Sequence, residues 1–203
     1  MAAHPKEKQD LICQAAIRTF SRKGFYNTRA EEIAHEAGVA VGTIYNYFES
    51  KEEILLSIFK VEFEQRMQVF RDMLGSDLSI PDKINKILQD HFSRLSEHGD
   101  LAALLIQERF NPGEGFRTKL LGLYKEMIAC IEELIEEGIK KGWVRACHPR
   151  IIAYALLGVV ESLSVYALTY PEEAEQGILA DAPAELAGLI WNGLHKEGTD
   201  ETS

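Results

Sequence analysis

The stretch 28–55, TRAEEIAHEAGVAVGTIYNYFESKEEIL, constrains this chain more than any other part of it. Ile33, Ala34 and Ala37 put apolar groups on one face of a short helix, and Gly38 supplies the permissive backbone for a tight turn after it. Thr28 is the expected N-cap of that helix, with Glu31 at the capping-box position. In a second short helix Ile44 and Phe48 lie four apart and face inward, leaving Thr43, Tyr45, Asn46 and Tyr47 on or near the outward side. A two-turn helix is not stable by itself, so it must be braced from behind and offered to something in front. Ser50-Lys51-Glu52-Glu53 then reads as a capping box that opens a long third helix, Ser50 being the N-cap and Glu53 reaching back. Lys51 sits where a phosphate would find both a cation and free backbone N–H groups.

The string IAHEAGVAVGTIYNYFESKEEIL resembles the helix-turn-helix of the TetR (tetracycline repressor) family, whose pattern is roughly I-A-x-x-A-G-V-x-x-G-T-[IL]-Y-x-[HY]-F-x-[SN]-K-[ED]-x-L. The resemblance implies that the outward residues of the second short helix read the major groove and nearby phosphates of double-stranded operator DNA. By position, Val41, Thr43, Tyr45, Asn46 and Tyr47 would face bases or phosphates, with Lys51 on the DNA backbone and Arg29 reaching a phosphate. Four positions depart from the family pattern. Arg29 and Ala30 replace a hydroxyl residue and a larger aliphatic, Ala40 replaces a Ser that often caps the reading helix, and Val41 replaces a common Lys or Arg. Val41 could instead pack on a thymine methyl.

The net charge of −10 first argues against a nucleic-acid partner, but the charge is unevenly placed. Residues 1–51 carry seven Lys/Arg against six Asp/Glu, and the remaining residues fifteen against twenty-six, so the acidity belongs to the C-terminal part. Cys13, Cys130 and Cys147 have no C-x-x-C spacing, which suggests neither a disulfide framework nor a zinc site and fits a cytoplasmic protein. The polar start MAAHPKEKQD has no signal-peptide core. The apolar run 151–168 contains Glu161, Ser162 and Ser164 and is followed by Pro171, so it reads as a helix buried in protein, with no membrane partner.

Apolar spacing of three and four residues predicts an all-α chain of about nine helices with no strands. An N-terminal three-helix domain over 1–51 would be followed by a helical ligand-binding and dimerisation domain over 52–197 and a disordered tail over 198–203. Helices are expected over 6–23, from Ser50 to Gly75, after Ser79 or Asp82 as cap, from Gly99, over 116–141, from Pro149, and after a cap within 181–185. No G-x-S-x-G, Walker-type loop, H-E-x-x-H or G-x-G-x-x-G is present, so an enzyme has no visible nucleophile or cofactor cradle. His91 and His98 can share a helix face but bring no third metal ligand.

A homodimer is expected from helices 151–168 and 181–195 paired with their copies, because the first is apolar on nearly every side and the second exposes Trp191 and Leu194. The C-terminal strings LIQERF, LIEEGIKKGWV and LLGVVESL are loosely similar to TetR-family regulators of fatty-acid metabolism. That similarity implies a small apolar effector with an anionic head, such as a fatty acyl-CoA, releasing a repressor from a palindromic operator. Leu105, Phe110, Leu120, Tyr124, Met127, Leu156, Val160 and Leu163 would supply the apolar lining, with Arg109 and Arg117 for phosphates. The alternatives are a multidrug-type regulator of aromatic or cationic ligands and a helical interaction module without DNA binding. Glu161 needs a partner within its apolar helix: a basic residue such as Arg109 or Arg150, a dimer contact, or a ligand.

Overall fold

The computed structural model describes residues 5–110, 114–173 and 177–196, apart from the side chains of Pro5, Leu74, 107–110, 114–117 and Glu173. The described residues form α1 (Pro5–Lys23), α2 (Ala30–Ala37), α3 (Val41–Tyr45), α4 (Lys51–Leu74), α5 (Ile80–Glu97), α6 (Gly99–Phe110), α7 (Glu114–Lys140), α8 (Pro149–Thr169), the short α9 (Pro171–Glu173) and α10 (Leu179–Leu194). An isolated antiparallel bridge between Val144 and His195 is the sole extended pairing among them. The all-α expectation holds, and the tail beyond 196 lies outside the described residues.

The chain divides into two compact units. The first takes Met1–Glu64 and His98–Leu121, and the second Gln65–Glu97 and Gly122–Ser203. The division falls inside α4 and α7 and not at the expected 51/52 boundary. Burial explains why. Ile54, Leu55, Leu56, Ile58 and Phe59 on the first half of α4 are as buried as Ile12, Phe20, Ile33 and Ile44 on α1 to α3, so that half belongs to the core of the first unit. A fully buried apolar side chain of this size contributes about 1.5–3 kcal/mol, more than a short helix can gain from its own hydrogen bonds. Within the first unit α1 packs on α2 and α6, and the Ser21 hydroxyl donates to the Asp100 carbonyl at 3.0 Å, joining the end of α1 to the start of α6.

In the second unit α5 packs along α10, and Ile128, Ile135, Val144, Ala153 and Leu194 form a buried cluster with Leu156 and Ile190 against it. Ser79 caps α5 as one of the two expected residues: its hydroxyl accepts from the Asp82 N–H at 3.3 Å and donates to the Asp82 carboxylate at 2.7 Å. α10 begins at Leu179, earlier than expected, and takes Pro183 inside it. Pro183 removes one backbone donor near the helix start, where few intrahelical bonds are lost.

The end of α7 is a close approach of backbone to side chain. The Gly138 carbonyl accepts from the Trp143 and Val144 N–H groups at 2.9 and 3.1 Å, and a Cβ at Gly138 would stand 2.6 Å from Val144 Cγ2. Val144 is held by the bridge to His195 and cannot retreat. Gly138→Ala is therefore expected to destabilise the protein by about 1–3 kcal/mol despite the better helix propensity of alanine, read as a lower urea midpoint.

α8 is strongly apolar and largely uncovered within the chain. Its mean hydropathy reaches 1.9 over an 18-residue window, long and apolar enough to cross a membrane, yet only 17% of that window is buried. Ala153, Ser164 and Ala167 are buried, whereas Ile151, Tyr154, Ala155, Gly158, Val159, Ser162, Val165 and Thr169 are exposed. These positions recur at three- and four-residue steps and carry no charge from Ile151 onward, Arg150 being the exposed charge in the first turn, so an apolar helix face is open. Within the single chain this helix is therefore only partly covered. On α10 the exposed apolar residue is Leu189 at 65%, while Leu194 is buried and Trp191 is half-buried against the His195 ring.

Candidate nucleic-acid interface

α2 is capped one residue later than its sequence suggests. Arg29 is the N-cap, and Glu32 at the third helical position accepts from the Arg29 N–H at 2.9 Å. Thr28 is instead buried, its hydroxyl donating to the Gly24 carbonyl at 2.9 Å. The shift follows from geometry: a threonine drawn into the core to close the preceding turn cannot also turn its oxygen toward α2. Gly38 then ends α2 in the left-handed region at φ 66, its N–H bonded to the His35 carbonyl, and Val39 bonds back to Ala34.

α3 begins after Ala40, which provides no side-chain cap, and helical bonding runs on to Phe48, whose N–H reaches the Ile44 carbonyl at 2.9 Å. Ile44 and Phe48 are 1% and 4% exposed, so the brace predicted from their spacing is in place. Tyr45 is 56% exposed, Asn46 is exposed, and Val41, Thr43 and Tyr47 are half-buried. The candidate reading residues thus share α3 and its extension, outside the apolar pair. Arg29 is exposed at the start of α2.

Basic residues on α1 serve to hold α2. Glu36 bonds Arg18 at 2.8 Å and Arg22 at 2.6 Å, and Lys23 pairs with Glu32. The Arg18 bond first, then the Arg22 bond, holds the Glu36 carboxyl below the usual carboxylate range. The Lys23 bond and then the Arg29 N–H do the same for Glu32. These exposed pairs fix orientation more than they add stability.

Lys51, the expected contact to the DNA backbone, is engaged within the fold in the absence of DNA. Its ammonium donates to the carbonyls of Phe25 at 2.8 Å, Thr28 at 3.1 Å and Tyr26 at 3.3 Å, and it lies 4.5 Å from the centre of the Phe25 ring. An ammonium has three donors, and all three are engaged within the fold. The Ser50 cap is present, with the Glu53 N–H bonded to Ser50 Oγ at 3.2 Å, but the Glu53 carboxylate reaches the Glu49 N–H, one residue before the cap.

The candidate effector residues are divided between the units. Leu105 and Leu120 are buried in the first; Tyr124, Met127, Leu156, Val160 and Leu163 are half-buried in the second. Leu156 packs on the cluster around Ile128 and Val144, which makes it core. Phe110, Arg109 and Arg117 have side chains outside the described residues. Arg150, offered as a partner for Glu161, is paired at 3.0 Å with Glu132 instead, while Glu161 itself is half-buried and engaged.

Sequence reasoning missed one polar feature of the second unit. Arg66 bonds His91 Nδ1, His91 Nε2 meets Ser164 Oγ at 2.8 Å, and Ser164 Oγ donates to the Val160 carbonyl at 2.8 Å. Arginine only donates, so Nδ1 accepts and the proton sits on Nε2. Burial, reinforced by the Arg66 charge, pushes His91 down to about 3. The sole sequence signal was a histidine at an apolar position of the α5 stripe, which carries no information about its partners.

Two family descriptions match this architecture. "Bacterial regulatory proteins, tetR family" covers residues 12–58, and "Tetracyclin repressor-like, C-terminal domain" covers 77–165. The chain belongs to the TetR family. Among similar TetR-type proteins, the fatty acid metabolism regulator protein of Bacillus subtilis (strain 168) is 25% identical over 194 residues, spanning 95% of this chain and 97% of its own. The structure of the transcriptional regulator FadR from Bacillus subtilis in complex with stearoyl-CoA matches with a TM-score of 0.79 at 25% identity, over 92% of this chain and 99% of that one. The fatty acid degradation regulator FadR from Bacillus halodurans shares the fold with a TM-score of 0.81 at 24% identity, over 97% and 100% of the two chains. The TetR assignment accounts for the braced α3 and for the helical domain that follows it.

Proposed function

We propose that this TetR-family regulator is a homodimeric repressor that binds a near-palindromic operator and is released by a long-chain fatty acyl-CoA. The observation that carries the effector assignment is the end-to-end match to a fatty acid metabolism regulator, together with likeness to a structure holding stearoyl-CoA. In the second unit the half-buried Tyr124, Met127, Val160 and Leu163 offer apolar surface suited to an acyl chain. An effector releases DNA only if it binds the DNA-free conformation more tightly, which shifts the population away from the operator-bound one.

The open face of α8 supports the dimer. From Ile151 to Thr169 it runs about 27 Å at ~1.5 Å per residue without a charged residue, and Leu189 on α10 adds to the exposed apolar surface of that unit. A two-fold pairing gives two reading helices and hence a palindromic site with half-sites about one DNA turn apart. Tyr45, Tyr47, Thr43, Asn46 and Val41 are the proposed groove-facing residues and Arg29 a phosphate contact. Tyr45→Ala is expected to weaken operator binding by about 1–3 kcal/mol while leaving the thermal midpoint in place, because its side chain is mostly in solvent.

The deciding experiment titrates acyl-CoA of several chain lengths against the complex of the protein with the duplex upstream of its own gene. Release by the long chains supports the assignment. Release by aromatic cations and by no acyl-CoA would move the protein to the multidrug class. Absence of any complex with DNA would leave the helical interaction module as the reading.

A further inference from the structure

We propose that the relay Arg66–His91–Ser164 is a latch which sets the balance between the operator-binding and the effector-binding conformations, with His91 and Ser164 as its positioning residues. The proposal rests on the function proposed above and deepens it. Of the three buried residues of α8 two are alanines, and Ser164 is the one whose side chain makes directional bonds, meeting His91 Nε2 at 2.8 Å and donating to the Val160 carbonyl at 2.8 Å. At 3% exposure it is shielded from water that could replace either partner. Arg66 to Nδ1, Nε2 to Ser164 and Ser164 to Val160 run in one direction, because arginine only donates. The His91 ring is steadied by Phe92, which is 2% exposed and lies edge to face with it at 5.1 Å. Stability alone does not call for such a relay, since apolar residues of similar volume are often as stable at buried polar positions.

The relay joins three helices with different duties. α4 is the helix that follows the reading helix, and it carries Arg66 in its second half. α5 is tied to α4 at two consecutive residues, Arg94 donating to Gln65 Oε1 at 2.6 Å and His91 accepting from Arg66, so the two move together. α8, most of whose apolar length is uncovered, meets that pair through Ser164. Val160, one turn before Ser164, and Leu163, beside it, are half-buried and belong to the surface proposed above for an acyl chain. A chain seated on them displaces the turn of α8 that holds the Ser164 hydroxyl, and the bond to Nε2 opposes that displacement. A buried imidazole N–H without an acceptor is costly, so the relay is either closed or broken, with no gradual middle. Closed, it favours the operator-binding conformation; broken, it favours the effector-binding one, and neither ligand has to touch it.

Opposite shifts in two affinities are the signature of a latch. Breaking a bond that biases a two-state equilibrium weakens the ligand of the favoured state and tightens the ligand of the other, whereas general destabilisation tightens neither. One probe is a labelled duplex selected by the wild-type protein from a random-sequence library, with binding read by fluorescence anisotropy. The other is stearoyl-CoA, titrated calorimetrically into the DNA-free protein and added to the preformed complex. Ser164→Ala is expected to weaken duplex binding about tenfold and to tighten stearoyl-CoA binding by a similar factor. His91→Leu should do the same, and covers the case in which Ser164→Ala does not fold. His91→Gln keeps an acceptor for Arg66 and a donor for Ser164, so both affinities should stay near wild type. Ile135→Val, a change in the buried cluster of the same unit, is the stability control and should lower the thermal midpoint with neither affinity moved. Wild-type affinity for both probes in Ser164→Ala and His91→Leu, weaker duplex binding without tighter stearoyl-CoA binding, or a His91→Gln that behaves as His91→Leu would each overturn the proposal. A wild-type protein that selects no duplex, or whose complex stearoyl-CoA does not release, would instead overturn the reading on which the proposal rests, and the proposal with it.

Discussion

Acidification from pH 6.5 toward pH 3 is expected to remove stability on the order of 5 kcal/mol through His91 alone. The ordinary histidine value of 6.5 falls to about 3 in the folded protein, because burial and then the Arg66 charge oppose the imidazolium. One pKa unit corresponds to about 1.4 kcal/mol, which sets the total. Above pH 6.5 the imidazole is neutral in both states and nothing is lost. Between the two values the unfolded chain takes up a proton that the folded chain refuses, so stability falls by about 1.4 kcal/mol per pH unit as the pH drops.

Protonation would also break the relay, since Nδ1 could no longer accept from Arg66. Glu32, Glu36 and Glu137 are lowered from 4.5 by their hydrogen-bond partners, so their stability is present above that value and is lost only below it. The window from pH 6.5 to 5 therefore isolates His91. Urea midpoints at pH 7, 6 and 5, at one protein concentration, should fall for the wild type and stay nearly level for His91→Gln. Glutamine can accept from Arg66 and donate to Ser164 without titrating. Equal slopes for the two proteins would refute the account.

Val159→Glu should dissociate the proposed dimer and take operator binding with it. Val159 is 41% exposed near the middle of the uncharged α8 face, and a two-fold axis along that face would bring two carboxylates together where nothing compensates them. Like charges brought together at an interface cost several kcal/mol, so the dimer constant should weaken by a factor of about a thousand. A single reading head then contributes half the contacts, and the duplex is bound only at the nonspecific level. Sedimentation at micromolar concentration checks the first step and anisotropy the second. A variant that remains dimeric would place the interface elsewhere on the chain, and a monomer that binds operator as tightly as the wild type would show that dimerisation does not set affinity.

The sequence alone determined what depends on neighbours along the chain. Ile44 and Phe48 four apart, Gly38 after Ala37 and Ser50 before Lys51 specified the inward face, the turn and the cap, because helix faces, positive φ and capping bonds are decided within a few residues. The position-specific string around them carried the family. Tertiary structure decided what depends on residues far apart in sequence. Thr28 lost its capping role because its hydroxyl is drawn to the Gly24 carbonyl in the core, leaving Arg29 as cap. Lys51 meets the Phe25 and Thr28 carbonyls because the α1–α2 turn, more than twenty residues upstream, folds onto it. His91 gained a fixed tautomer only where α4 and α8 deliver Arg66 and Ser164 to its two nitrogens. The apolar residues of α8 could be counted from the sequence, but which of them stay open was not legible there. Exposure is set by what the other helices leave uncovered, and α8 keeps an apolar face open, the face proposed to meet a second copy.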